Sequence, residues 1–210
     1  MRRCLRPLAA RAGAAAGLLL CATQAHAHSA AKGIGDFYAG ALHPLTSLEH
    51  VLPFLAFGIL AGQQGQKAEP ALVAFTFSLS LLAGATLSLW IPGSPWVSVA
   101  NLASSVVFGA LVALARPLPG PLFFAIAVGF GLTHGFANGE GMAEGGRPYL
   151  FFPGVALAGL VVTAYGLITT DWLQRKDVGW VRIALRVAGS WIAAIGILVL
   201  AVSGRTLFTT

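Results

Sequence analysis

The sequence predicts an all-α, polytopic membrane helix bundle of about six transmembrane helices that follow a cleaved signal peptide. Hydrophobic residues make up 57% of the 210 residues and charged residues only 10%, where soluble domains carry about 25% charged, so much of the surface has to face lipid. Apolar runs recur at close to the ~20 residues that cross the hydrocarbon core. Short breaks rich in Gly, Pro and charge separate them.

Arg2, Arg3, Arg6 and Arg11 form a basic start, Ala12 to Ala22 is apolar, and Ala25-His26-Ala27 places small residues at both cleavage positions. This is the pattern of a secretory signal peptide, residues 1–27, and its apolar core has about half the length of a spanning helix. Residues 28–210 then form one membrane domain. Both cysteines, Cys4 and Cys21, fall in the leader, so the mature chain has neither disulfide nor thiolate site. The net charge of +6 also belongs largely to the leader, with nine basic and seven acidic residues after it. That balance gives no reason to expect a nucleic-acid partner.

Six spans follow, over residues 44–64, 71–91, 97–115, 121–139, 149–170 and 181–203. The breaks between them hold Gln63 to Lys67, Pro92 to Pro95, Arg116 to Gly120, Gly145 to Pro148, and Asp171 to Asp177. Gly58 and Gly62, and then Ser80, Gly84 and Ser88, set small residues four apart on one helix face, the pattern of close helix contacts. Two groups of three spans run in opposite senses, which permits an inverted repeat. With the mature N-terminus outside, Lys67, Arg116, Arg175, Lys176 and Arg182 lie on the cytoplasmic side, and Lys32, Arg147 and Arg205 face out. The bias follows the positive-inside rule.

In this orientation His28, His43, His50 and His134 all fall toward the outer face. Imidazole is the commonest side-chain ligand for transition metals, and ionisable groups inside spans are costly enough to imply a function. His43-Pro44-Leu45-Thr46-Ser47-Leu48-Glu49-His50 opens the first span. On a straight helix its two histidines share a face but stand about 10 Å apart along the axis, too far to chelate one ion. Either the chain bends near Pro44 to bring His43 inward, or the two are successive stations on an inward path. Glu49 supplies a carboxylate oxygen to the ion or orients His50; alternatively it completes a capping box with Thr46. Pro53 leaves the Glu49 carbonyl without its helical partner.

The second segment runs from Gly129 to Glu144 and includes His134, Asn138 and Glu140. Its glycines at 129, 131, 135, 139 and 141 weaken the helix and suit an unwound, polar-lined element that a second backbone can approach. His134 and Asn138, four apart, share a face and can address one ion, with Glu140 near the mouth. Glu144 reads as a solvated loop charge. His28, as the new first residue, could chelate through its amine and imidazole. Trp90, Trp96, Tyr149 and Trp172 read as interfacial anchors.

At these two segments the chain resembles the HupE/UreJ family of hydrogenase and urease accessory membrane proteins. The family shows His, five residues, then Asp-His in its first span, and later Phe-His-Gly-x-Ala-His-Gly-x-Glu. Here the first becomes His43, five residues, Glu49-His50. The second becomes Thr133-His134-Gly135-Phe136-Ala137-Asn138-Gly139-Glu140-Gly141, so the second His is Asn138, the final acid is Gly141, and the nearest carboxylate is one residue early, at Glu140. The resemblance implies a permease for Ni²⁺, or a similar ion such as Co²⁺, in the bacterial inner membrane. Its partners would be the divalent ion, the bilayer and a hydrogenase or urease maturation system, and no cofactor would be tightly bound.

The alternative function is a non-transporting membrane protein that captures or senses metal. Nitrogen and oxygen donors suit a borderline divalent ion, and the absence of cysteine from the mature chain argues against a thiolate-rich Cu(I) route. No nucleotide-binding loop and no His-Glu-x-x-His pattern occur, so neither an ATP-driven pump nor a zinc hydrolase is expected.

Overall fold

A computed structural model describes residues 35–65 and 69–207, and among these described residues it has seven helices. The signal segment, His28, Lys32 and Lys67 lie outside the described residues. The helices are α1 (Asp36–Thr46), α2 (Leu48–Gln63), α3 (Pro70–Leu87), α4 (Pro95–Leu114), α5 (Gly120–Glu140), α6 (Pro148–Arg175) and α7 (Gly179–Leu207). No strand occurs among the described residues, and the protein is an all-α membrane protein, as its composition requires.

Helix starts follow from sequence. Proline occupies one of the first two positions of α3, α4, α5 and α6, where its fixed φ favours the helix and its missing N–H costs no bond. The α4 end turns through Ala115 in the left-handed region, φ 51°.

Among the described residues four helices, α4 to α7, are long and apolar enough to cross a membrane, and α1 with α2 makes a fifth if that bent pair is one span. The remaining expected span, α3, is helical but has a shorter apolar stretch, Ala71–Leu87. The largest departure is at the first span. Residues 44–46 belong to α1, and the chain breaks at Ser47 (φ −106°, ψ 118°) before α2 leaves at 76° to it. The bend is therefore at Ser47; Pro44 stays inside α1, buried. Thr46 does not cap α2, because its hydroxyl donates back to the carbonyls of Leu42 and His43 at 2.9 and 3.3 Å.

Glycine faces dictate which helices meet. A Cβ on Gly84 would strike the Leu132 carbonyl, one on Gly135 the Leu81 carbonyl, and one on Gly131 the Ser80 side chain and the Phe77 carbonyl, so α3 and α5 lie backbone against backbone. Gly109 and Gly189 do the same for α4 and α7, and Gly58 meets the Thr163 backbone to join α2 to α6. These are the close contacts small residues permit between membrane helices. Swapping α2, α3 and α4 for α5, α6 and α7 exchanges the pairs α2–α6 and α3–α5 and returns α3–α6 and α4–α7 to themselves. The α2–α4 contact breaks that pattern, since α5 and α7 scarcely touch among the described residues.

The two ends of the bundle differ in charge. Asp36 Oδ2 accepts from Arg147 Nε at 2.7 Å and from its backbone N–H at 3.2 Å, tying α1 to the start of α6. At the opposite end Arg175 pairs with Asp171, Arg182 pairs with Asp177, and Arg186 donates to the Ala113 carbonyl at 2.8 Å.

Candidate metal centre

His50 lies in the first turn of α2, just past the break, and His134 lies on α5. Both are buried, at 3% and 0% exposure. Their Nδ1 atoms face each other at 3.1 Å. Two N–H groups cannot point at each other across that gap, so at least one Nδ1 presents its lone pair.

The other nitrogen of His134 is hydrogen-bonded, whereas that of His50 has only a carboxylate nearby, beyond hydrogen-bond distance. Ser104 Oγ, on α4, is 2.9 Å from His134 Nε2, and Glu49 Oε1 is 3.9 Å from His50 Nε2. Ser104 in turn bonds the Asn101 carbonyl, and Asn101 Nδ2 donates to the Thr133 carbonyl at 3.0 Å, locking α4 to α5 beside His134. Glu49 also accepts from Ser47 Oγ at 3.2 Å. It faces the imidazole and the break, while the capping box expected with Thr46 is absent. Sequence reading missed Asn101 and Ser104. Their signal was present, since both are polar residues inside an apolar span.

The break folds His43 back. Its ring centroid is 5.9 Å from that of His50, so histidines seven apart become neighbours that a straight helix would separate. The three rings form a row from half-buried His43 through His50 to fully buried His134. Beneath the row the rings of Phe54 and Phe130 contact His134, with centroids at 5.4 and 4.4 Å. Phe57, Phe77, Phe108 and Phe123 continue that aromatic knot toward the other end of α5.

The HupE / UreJ protein family matches over residues 16–199. The chain belongs to the HupE/UreJ family. It is 29% identical to "Protein HupE" of Rhizobium leguminosarum bv. viciae over 173 residues, which covers 82% of this chain and 87% of that one. No solved structure matches it.

The positions where this chain departs from the family pattern have distinct fates. Asn138 is fully buried; its Nδ2 donates to the His134 carbonyl at 2.7 Å, while its Oδ1 has no hydrogen-bond partner. Gly141 lies against the His43 imidazole, whose Nε2 and Cε1 occupy the space a side chain would fill there. Glu140 is exposed, and its carboxylate packs on Gly93 in the α3–α4 connection. Glu144 is exposed in the next turn, as expected. The expected unwinding of α5 is not seen, because its glycines are used for contact: packed against α3 at Gly131, Gly135 and Gly139, the helix continues to Glu140.

Among the described residues no three His, Cys, Asp or Glu side chains gather around one point. The polar core at this end therefore includes two facing imidazoles, a third one ring away, and two unpartnered buried amide oxygens, that of Asn138 one turn beyond His134 and that of Asn101 on α4.

Proposed function

We propose that the protein is a permease for Ni²⁺ or a similar divalent ion such as Co²⁺ in the bacterial inner membrane, and that it supplies metalloenzymes such as hydrogenase or urease. The observation that carries this reading is the 3.1 Å separation of His50 Nδ1 and His134 Nδ1. Metal–imidazole bonds run about 2.0–2.1 Å, so two adjacent ligands of one ion stand about 3 Å apart. The pair is preset for an ion, with Ser104 and Glu49 in the outer positions that orient metal-bound imidazoles. The amide oxygen of Asn138 is the third donor, and His43 is the station that passes the ion inward.

This reading takes the family's nickel association as the guide to the metal, and nitrogen and oxygen donors agree with it. The signal peptide is removed after Ala27, and the histidine end faces the periplasm. Glu140 and His28 are assigned no ligand role in the pair.

One observation favours the second reading, a membrane protein that captures metal without moving it: the aromatic knot closes the way inward beneath His134. Uptake of ⁶³Ni²⁺ by proteoliposomes holding the purified protein separates the two. A permease fills the lumen beyond the bound stoichiometry, and His50→Ala stops it. Binding that saturates at the protein concentration, with no lumenal accumulation, overturns the permease.

A further inference from the structure

We propose that Ser104 is a positioning residue of the metal pair: through the Asn101 carbonyl it dictates which nitrogen of His134 carries the proton and so points the His134 Nδ1 lone pair at the ion. The proposal rests on the reading of His50 and His134 as ligands, and the test below separates the two.

The Asn101 carbonyl can only accept, so the single proton of the Ser104 hydroxyl goes to it. The same oxygen stands 2.9 Å from His134 Nε2 and must therefore accept there, which makes His134 the Nε2–H tautomer. Its Nδ1 then bears a lone pair and accepts from His50 Nδ1–H across the 3.1 Å gap. One of the two donor nitrogens is thus preset by a backbone carbonyl of α4, on which no side-chain substitution acts directly. The other becomes available when His50 shifts its proton from Nδ1 to Nε2, the nitrogen nearest Glu49 Oε1. No net proton is released, because each imidazole carries one N–H before and after.

Burial makes the device matter. His134 is fully enclosed, so its ring has no bulk water to bond, and a tautomer with Nδ1–H would point a proton at the ion.

Threonine and valine at position 104 have nearly the same shape and differ in the hydroxyl, so the pair isolates the oxygen. In detergent-solubilised full-length protein, Ser104→Val should lower Ni²⁺ affinity about 10- to 100-fold, the usual effect of losing such an outer partner. Ser104→Thr should stay within a few-fold of wild type. Side-chain ¹⁵N NMR of His134 without metal should report Nε2–H in wild type and Ser104→Thr, and an admixture of Nδ1–H in Ser104→Val. Equal affinity in the two variants, or a loss in Ser104→Val with the tautomer unchanged, overturns the positioning role. Unaltered Ni²⁺ affinity in His50→Ala, measured alongside, instead overturns the ligand reading beneath it.

Discussion

The His43 imidazole rests on Gly141: its Nε2 and Cε1 fill the volume that any side chain at 141 would claim. The family pattern has an acid at this position. In this chain, therefore, the imidazole itself lies where a side chain at 141 would begin, and the nearby Glu140 carboxylate lies against Gly93.

Gly141→Ala should displace His43 with little loss of stability, because the clash is with the far end of a flexible side chain. Uptake at low Ni²⁺ concentration should fall several-fold while the maximal rate stays near wild type, as for losing an outer station and keeping the buried pair. Initial rates across a range of Ni²⁺ concentrations check this, and unchanged rates at low metal would remove His43 from the path.

The buried pair demands a different substitution at each position. His134 is fully enclosed between Phe54 and Phe130, so His134→Ala opens a cavity that costs about 3 kcal/mol and lowers abundance together with binding. His134→Phe keeps a ring there and should fold but not bind Ni²⁺. Calorimetric titration with a parallel thermal melt reads both, and normal binding by His134→Phe excludes that imidazole as a ligand.

Asn138→Leu tests the unpartnered amide oxygen. With no metal bound the oxygen makes no bond, so leucine should leave the melting behaviour within about 1 kcal/mol of wild type. Ni²⁺ affinity should drop about tenfold. Wild-type affinity in a well-folded Asn138→Leu protein would place Oδ1 outside the ion's coordination.

The α3–α5 contact gives a prediction independent of metal. Gly84→Ala drives a methyl into the Leu132 backbone, which cannot yield without separating the helices, and should cost about 1–3 kcal/mol. Gly129→Ala meets nothing within 4 Å and should be neutral or stabilise the helix by up to about 1 kcal/mol. Denaturation of the two variants in the same detergent would show whether position on the helix decides the sign.

Orientation is tested by reporters. A fusion after Asp177 should report the cytoplasm and one after Gly146 the periplasm, because basic residues concentrate at the first end. The opposite result at both points would put the histidine row on the inner face and turn the proposed direction of transport around.

Sequence alone determined the helical class, the membrane environment and the family, and it singled out His50 and His134 as candidate ligands. Hydropathy, span length and the cost of an ionisable group in lipid are properties of single segments, legible without knowing which segments meet. Tertiary structure decided the rest. The break at Ser47 turned His43 from a residue two turns away into a neighbour of His50, and packing against α3 kept α5 helical through glycines that, read singly, weaken a helix. Only the docking of α4 on α5 could bring Ser104 to His134 across 30 residues, and only the α3–α4 connection could draw Glu140 aside. A hydrogen-bond partner is chosen by whatever lies within about 3 Å, and in a bundle that distance is set by which helix faces fit together.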